Sequence, residues 1–196
     1  LSNLDARLRI EMREEIRRIQ QETNVTTIFV THDQEEAMSI SDQIVLMKDG
    51  YLQQIAGPLE IYREPINEFT ADFLGNPVIN KLKGIVRDGK ILVNGTERPI
   101  ALKGAETLED GKAIHLSIRA ESFEIARPTD AEFFEGRVSA LSITGKDTLA
   151  NVRIGDHNVR AFIDSDEVVN VGERVCFALK PRGVFVFDAA TGNRLV

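Results

Sequence analysis

The chain has no tryptophan, only two tyrosines and a single cysteine, Cys176. One thiol forms no internal disulfide, which fits a reducing compartment. Cys176 interrupts the alternating apolar series Val175, Phe177, Leu179, where it is expected to fill space or face an edge rather than react. Long apolar runs are also lacking. Nothing approaches the roughly 20 residues that cross a bilayer, and the N-terminal stretch has neither the basic start nor the apolar core of a signal peptide, so any membrane role is expected to be indirect. Positive charge is in deficit: 24 basic against 31 acidic residues give a formal charge of −7, which repels phosphate backbones and anionic lipid. With so few aromatics available for base stacking, no nucleic-acid partner is expected.

What is present divides in two. The 42 % apolar content over 196 residues suffices for one large or two small domains. The first part alternates helix and strand signals, whereas the rest reads as short strands separated by glycine turns. Over residues 5–21, Leu8, Met12, Ile16 and Ile19 recur at helical spacing, with Asn24 near the end. Residues 26–31 (TTIFVT) are β-branched and nearly continuously apolar, the pattern of a strand covered on both faces in a parallel sheet. His32 follows, and then Asp33 with Glu36 three residues on, a capping-box arrangement that opens a helix. Asp49-Gly50 between two apolar stretches, 44–47 and 51–55, predicts a hairpin. Gly57-Pro58 starts a short helix over 59–63, and a second helix over 67–74 stops at Gly75 and Pro77. Residues 75–83 read as a linker. Beyond them, strands are predicted at 85–86 and 91–93 around Asp88-Gly89, at Ile114, Leu116 and Ile118, at Val159, Ala161 and Ile163, and at 175–179 and 184–187, the pattern of a small barrel or sandwich.

Taken alone, Leu1-Ser2-Asn3-Leu4-Asp5 is a polar lead-in to a helix and His32 an ordinary loop histidine. Together the segments carry more. SNLDARLRIEMR, a helix, TIFVTHDQEEAMSISDQIVLMKDGYLQQIAGP and then EIYREPINEFTADFLG resemble, in order and spacing, the second half of the ABC transporter ATPase domain. Ser2-Asn3-Leu4-Asp5 matches the D-loop and Val30-Thr31-His32-Asp33 the switch-histidine segment. The remainder resembles the regulatory OB-like (TOBE/MOP-type) domain of sugar-uptake importers, through FTADFLGNPVIN, Ser117-Ile118-Arg119-Ala120-Glu121 and VGERVCFALKPRGVFVFDAATG. That family usually has proline where this chain has Ala120.

The resemblance implies a fold class: an α/β fragment, part of a P-loop NTPase ABC domain over residues 1–76, followed by an all-β OB-like barrel over 77–196. It implies ATP and Mg2+ as cofactors, with His32 reaching the γ-phosphate and Thr31 and Asp33 as its neighbours. The D-loop residues Ser2, Asn3, Leu4 and Asp5 would face a second ATPase subunit across the nucleotide. The further partners implied are two transmembrane permease subunits, a solute-binding protein indirectly, and a regulatory protein on the β-domain, at the cytoplasmic face of the membrane. The chain contains no G-x-x-x-x-G-K-[ST] phosphate loop, no L-S-G-G-Q signature and no apolar strand ending in Asp-Glu. It is therefore expected to be the C-terminal part of the ATPase and inactive alone. The strand over 26–31 is expected to lack a neighbour and to leave the N-terminal part poorly ordered or self-associating, while the β-domain folds independently. The alternative, a β-domain that senses a small anion, needs a cluster of basic side chains that the sequence does not display. Glu35-Glu36 and Arg17-Arg18 read as solvated helix faces, and His115 and His157 lack metal-ligand spacing.

Overall fold

The helix expected over 5–21 runs as α1 (Ser2–Thr23) in a computed structural model that describes residues 2–127, 133–145 and 147–196, with side chains from residue 7 onward. Its surface is laced by Arg7–Glu11 at 2.9 Å and by Arg18 between Glu15 and Glu22 at 2.6 and 2.5 Å, exposed pairs worth a few tenths of a kcal/mol each. The helix stops where Asn24 turns left-handed at φ 52° and donates its N–H to the Gln20 carbonyl at 2.9 Å. The stretch after it departs from expectation: residues 26–31 form no strand. A strand exists only where a neighbour takes up its backbone N–H and C=O groups, and among the described residues no strand pairs with the segment. Ile28 and Val30 are accordingly 90 % and 89 % exposed.

α2 (Gln34–Ile40), the hairpin β1 (Ile44–Lys48) and β2 (Tyr51–Ala56), and α3 (Pro58–Arg63) complete the first compact unit, Leu1–Pro65. The hairpin closes through Asp49 at φ 51° and Gly50 at φ 81°, the twist that matches paired strands. Ile44, Leu46, Ala56 and Ile61 are buried, and Gln54 donates to the Glu64 carbonyl at 3.0 Å.

The second unit is Ile66–Val196, so the compact units divide between residues 65 and 66, ahead of the 76/77 boundary that the resemblance implies. The helix over 67–74, α4 (Glu68–Phe73), falls in the second unit for a physical reason. Glu68 N–H donates to Gly192 O at 2.8 Å, Arg194 N–H donates to Ile66 O at 3.0 Å, His115 Nδ1 meets Glu68 Oε1 at 3.0 Å, and Ala71 packs with Ile79, Phe185 and Phe187.

The unit's strands are β3 (Asn80–Arg87), β4 (Lys90–Val93), β5 (Ala113–Ile118), β6 (Phe123–Ala126), β7 (Phe134–Ile143), β8 (Asp147–Ile154), β9 (His157–Asp164), β10 (Arg174–Leu179) and β11 (Val184–Asp188). They form a five-stranded sheet, β6-β10-β7-β8-β9, and a four-stranded sheet, β11-β5-β3-β4. The predicted alternations are seen: Ile114, Leu116 and Ile118, and Val159, Ala161 and Ile163, all point into one core with Phe123, Phe134 and Phe177. β6, β7 and β8 were not foreseen, although Ala150, Val152 and Ile154 alternate as strongly as the strands that were.

Residues 75–83 are not a linker throughout, because β3 begins at Asn80. The Asn80 side chain, 6 % exposed, donates to Ile118 O at 2.9 Å and to Arg160 O at 2.8 Å, and its Oδ1 accepts the Arg160 N–H at 2.7 Å. A side-chain amide thus makes both bonds of a peptide unit and ties β3 to β9, an edge strand of the other sheet. Three residues on, His157 Nε2 accepts the Lys83 N–H at 2.9 Å, which makes the ring a neutral acceptor with its proton on Nδ1.

Asn80→Ala removes the side-chain partner of the Ile118 and Arg160 carbonyls and of the Arg160 N–H, at about 1–3 kcal/mol for each group that finds no replacement. A urea midpoint should report a loss of about 2–4 kcal/mol, and a loss below 1 kcal/mol would mean that the seam is closed by other contacts. For His157, burial is the main influence that lowers its pKa, with Arg153 and Lys83 adding to it against Asp156. The folded state therefore binds the proton less readily than the unfolded chain, whose histidine titrates near about 6.5. This contribution is intact above that pH and is lost as pH falls through it toward the lowered native value. Denaturation at pH 7 and pH 5 should show a smaller decline for His157→Gln than for the parent chain; equal declines would contradict this assignment.

Candidate functional site

His32 stands exposed between the unpaired segment and α2, and the residues on either side of it are firmly held. Asp33 Oδ1 accepts from the Glu35 and Glu36 N–H groups at 2.8 and 3.1 Å, the N-cap that its spacing predicts. The return half of the capping box runs through Thr31: the Asp33 N–H donates to Thr31 Oγ1 at 2.9 Å, and that hydroxyl donates to Glu36 Oε2 at 2.6 Å. His32 is thereby spanned by a closed polar ring while its imidazole stays in solvent. The Thr31 hydroxyl and Asp33 Oδ1 are both engaged in this clamp.

The other end of α2 is fixed by a residue that sequence reasoning took for a solvated charge. Arg17 donates to Ile40 O at 3.1 Å and to Asp42 Oδ1 at 2.5 Å, and the guanidinium holds the Asp42 carboxyl below its usual pKa. Arg13 meets Glu35 at 3.4 Å. Residues four apart on α1 therefore grip both ends of a two-turn helix, a spacing visible in the sequence once the partner is known. A cleft of about 490 Å3 opens between these helices, lined by Ile10, Arg13, Arg17, Gln21, Glu35 and Ser39 among others; His32 does not line it.

Ser2, Asn3, Leu4 and Asp5 are part of α1 and not a loop ahead of it. A nucleated helix adds a hydrogen bond for each residue it gains, and α1 runs through these residues. Among the described side chains of α1, the one closest to the N-terminus that bonds α2 is that of Arg13, about 16 Å of helix beyond Ser2 at 1.5 Å per residue. Among the described residues there is no cluster of three or more His, Cys, Asp or Glu arranged for a metal ion.

Comparison with known proteins places this geometry. A TOBE-domain family profile matches residues 116–187, from within β5 to β11. A putative ABC transporter ATP-binding protein of Mycoplasma pneumoniae is 40 % identical over 195 residues, covering 100 % of this chain and 33 % of that protein. The chain is homologous to ATP-binding proteins of ABC transporters. A xylose/arabinose import ATP-binding protein of Haloferax volcanii is 35 % identical over 98 % of this chain and 53 % of its own length. An sn-glycerol-3-phosphate import ATP-binding protein of Paraburkholderia xenovorans is 36 % identical over 99 % and 55 %. The chain thus spans between a third and about half of the length of the relatives it matches. Among solved structures, the molybdate-binding protein ModG aligns with 55 % of this chain and 94 % of its own at 16 % identity and a TM-score of 0.45. The fold is a unit of helices and one antiparallel hairpin followed by a β-domain that carries the TOBE match.

Ala120, where the ABC importer pattern has proline, opens the 3-10 turn Ala120–Ser122. Arg119 before it is extended at φ −69° and ψ 149°, as a residue preceding proline must be. The turn's hydrogen bonds use the N–H groups of Arg119 and Ser122, and the first position of such a turn tolerates a missing donor. Ala120→Pro should stabilise the chain by about 0.4–1 kcal/mol by restricting the unfolded state. A calorimetric melt should rise by roughly 1–4 °C; a fall would mean that the buried site has no room for the ring.

Proposed function

We propose that this chain is part of the ATP-hydrolysing subunit of an ABC importer and that His32 is its γ-phosphate sensor. The observation that carries the reading is the clamp. In a chain homologous to importer ATP-binding proteins, an exposed imidazole sits in the switch segment, its flanks fixed by Thr31, Asp33 and Glu36. Phosphoryl transfer accumulates charge on the γ-phosphoryl oxygens, and catalysis consists mainly of positioning donors around them. ATP with Mg2+ supplies the reacting phosphoryl group when bound. From this chain, His32 donates a hydrogen bond toward that charge, and the clamp limits the entropy lost when it does. The phosphate loop, the signature and the water-orienting carboxylate are not among these 196 residues. The site is completed by other parts of a longer protein, and the same parts account for the apolar residues that stand in solvent here, Ile28 and Val30 above all.

On this reading Ser2, Asn3, Leu4 and Asp5 leave the helix when a second ATPase subunit closes over the nucleotide. The dimer drives two permease subunits at the cytoplasmic face of the membrane, and a solute-binding protein delivers the cargo. A sugar or glycerol phosphate is the proposed cargo, on the strength of the relatives' names.

A hydrogen bond to a charged group contributes about 1.5–3 kcal/mol. His32→Ala in the full-length protein, assembled with its permeases, should therefore lower kcat by roughly 10- to 150-fold, while His32→Gln retains part of the rate. The 196-residue chain by itself should not turn over ATP. Hydrolysis by the purified chain, or an undiminished kcat in His32→Ala, would overturn the reading.

A further inference from the structure

The second unit holds a cavity of about 330 Å3 that the ATPase reading leaves unused. Its floor is a row of arginines. Arg174 on β10 lies directly opposite Arg137 on β7, and Arg137 lies directly opposite Arg153 on β8, so three like charges stand side by side across three adjacent strands. Like charges directly opposite one another destabilise an antiparallel pair. Among the described residues one of the three is paired with an acid: Arg174 bonds Glu135 at 3.0 Å. Arg137 reaches the Gly172 carbonyl at 3.3 Å and Arg153 the Gly155 carbonyl at 2.9 Å, and neither has a carboxylate partner among the described residues. A fourth guanidinium, Arg98, lies 5.2 Å from the centroid of the Phe133 ring, and both line the same cavity together with Glu97. A chain with a formal charge of −7 has thus collected cations where they repel each other.

We propose that this cavity binds a small hydroxylated organic phosphate, with the phosphate on Arg137 and Arg153 and the organic body against Phe133. Guanidinium forks recognise phosphate oxygens bidentately, and a phosphate monoester carries close to two charges at neutral pH, which offsets the repulsion in the row. The volume lies at the lower end of small-molecule pockets, about 300–1,000 Å3. A bare oxyanion takes the place of only a few waters, at about 30 Å3 each, so the remaining space belongs to an organic body. Glu97 is an acceptor for its hydroxyl groups and disfavours ligands that are anionic at both ends. The proposal does not depend on the ATPase reading, because every residue in it belongs to the β-domain.

Titration calorimetry on the 196-residue chain with glucose 6-phosphate, glucose and inorganic phosphate tests it. Glucose 6-phosphate should bind at least about tenfold tighter than inorganic phosphate, and more weakly at about 200 mM than at about 50 mM salt, as counterion release requires. Glucose should not bind. R137Q/R153Q should lose at least about tenfold in affinity while its unliganded melting temperature holds or rises, since repulsion has been removed. Arg98→Ala, away from the row, serves as a second variant and should weaken glucose 6-phosphate more than inorganic phosphate. Three outcomes would each sink the proposal: no heat at millimolar glucose 6-phosphate, inorganic phosphate binding as tightly, or undiminished affinity in the variants.

Discussion

A backbone amide removed from water must find a partner, and in the β-domain the residue that settles this at the join between its sheets is Asn80. Neither sheet closes through its own ladder, since β9 is the last strand of one and β4 covers only the far half of β3 in the other. Asparagine solves the problem because its side-chain amide has the same donor and acceptor as a peptide group. One side chain therefore substitutes for a length of strand, joining positions 80 residues apart in sequence. The seam also sets the rest of the domain. It presents Val159, Ala161 and Ile163 to Leu82 and Ile118 across a shared core. Further along, Asp156 N–H donates to Asn94 O at 3.3 Å, which brings the β8–β9 turn against the segment that carries Glu97 and Arg98. The arginine cavity is built where those two turns meet.

The first unit shows the same constraint unmet. Residues 26–31 have the composition of a buried central strand, yet composition does not supply hydrogen-bond partners, and they join no strand, with Ile28 and Val30 in solvent. α1 makes the point from the other side. A helix satisfies its backbone internally, so α1 forms along its whole length although Leu8, Met12 and Ile19 remain about half exposed. Where partners are absent, local hydrogen bonding survives and non-local pairing does not. The same reasoning explains why Ser2, Asn3, Leu4 and Asp5 are part of the helix.

This contrast also marks what the sequence discloses. Features whose cause is local were legible: the Asp33 cap, the Asp49-Gly50 and Asp88-Gly89 hairpins with both residues at positive φ, and the alternations that became β5 and β9. The position of His32 was legible through its order relative to the helix after it. Features that depend on a distant partner were not. Asn80 sat in a stretch rich in Gly, Pro and Asn and looked like connection, when it is the tie between two sheets. Arg17 looked like a solvated charge because Asp42 and the Ile40 carbonyl meet it only after the chain turns back. Arg98, Arg137, Arg153 and Arg174 are scattered singly among acids, and only strand register puts three of them in line.

Register therefore changes what the acidic composition means. Averaged over the chain, the charge argues against any anionic partner, and this holds for an extended polyanion that senses the whole surface. A small anion senses only the few ångströms around it, since at physiological ionic strength charges beyond about 8 Å are screened. Within that radius the cavity presents four guanidinium groups against two carboxylates, one of them already bonded to Arg174. The net negative charge of the chain then acts as a filter: it disfavours large polyanions at a site whose local field attracts a small one.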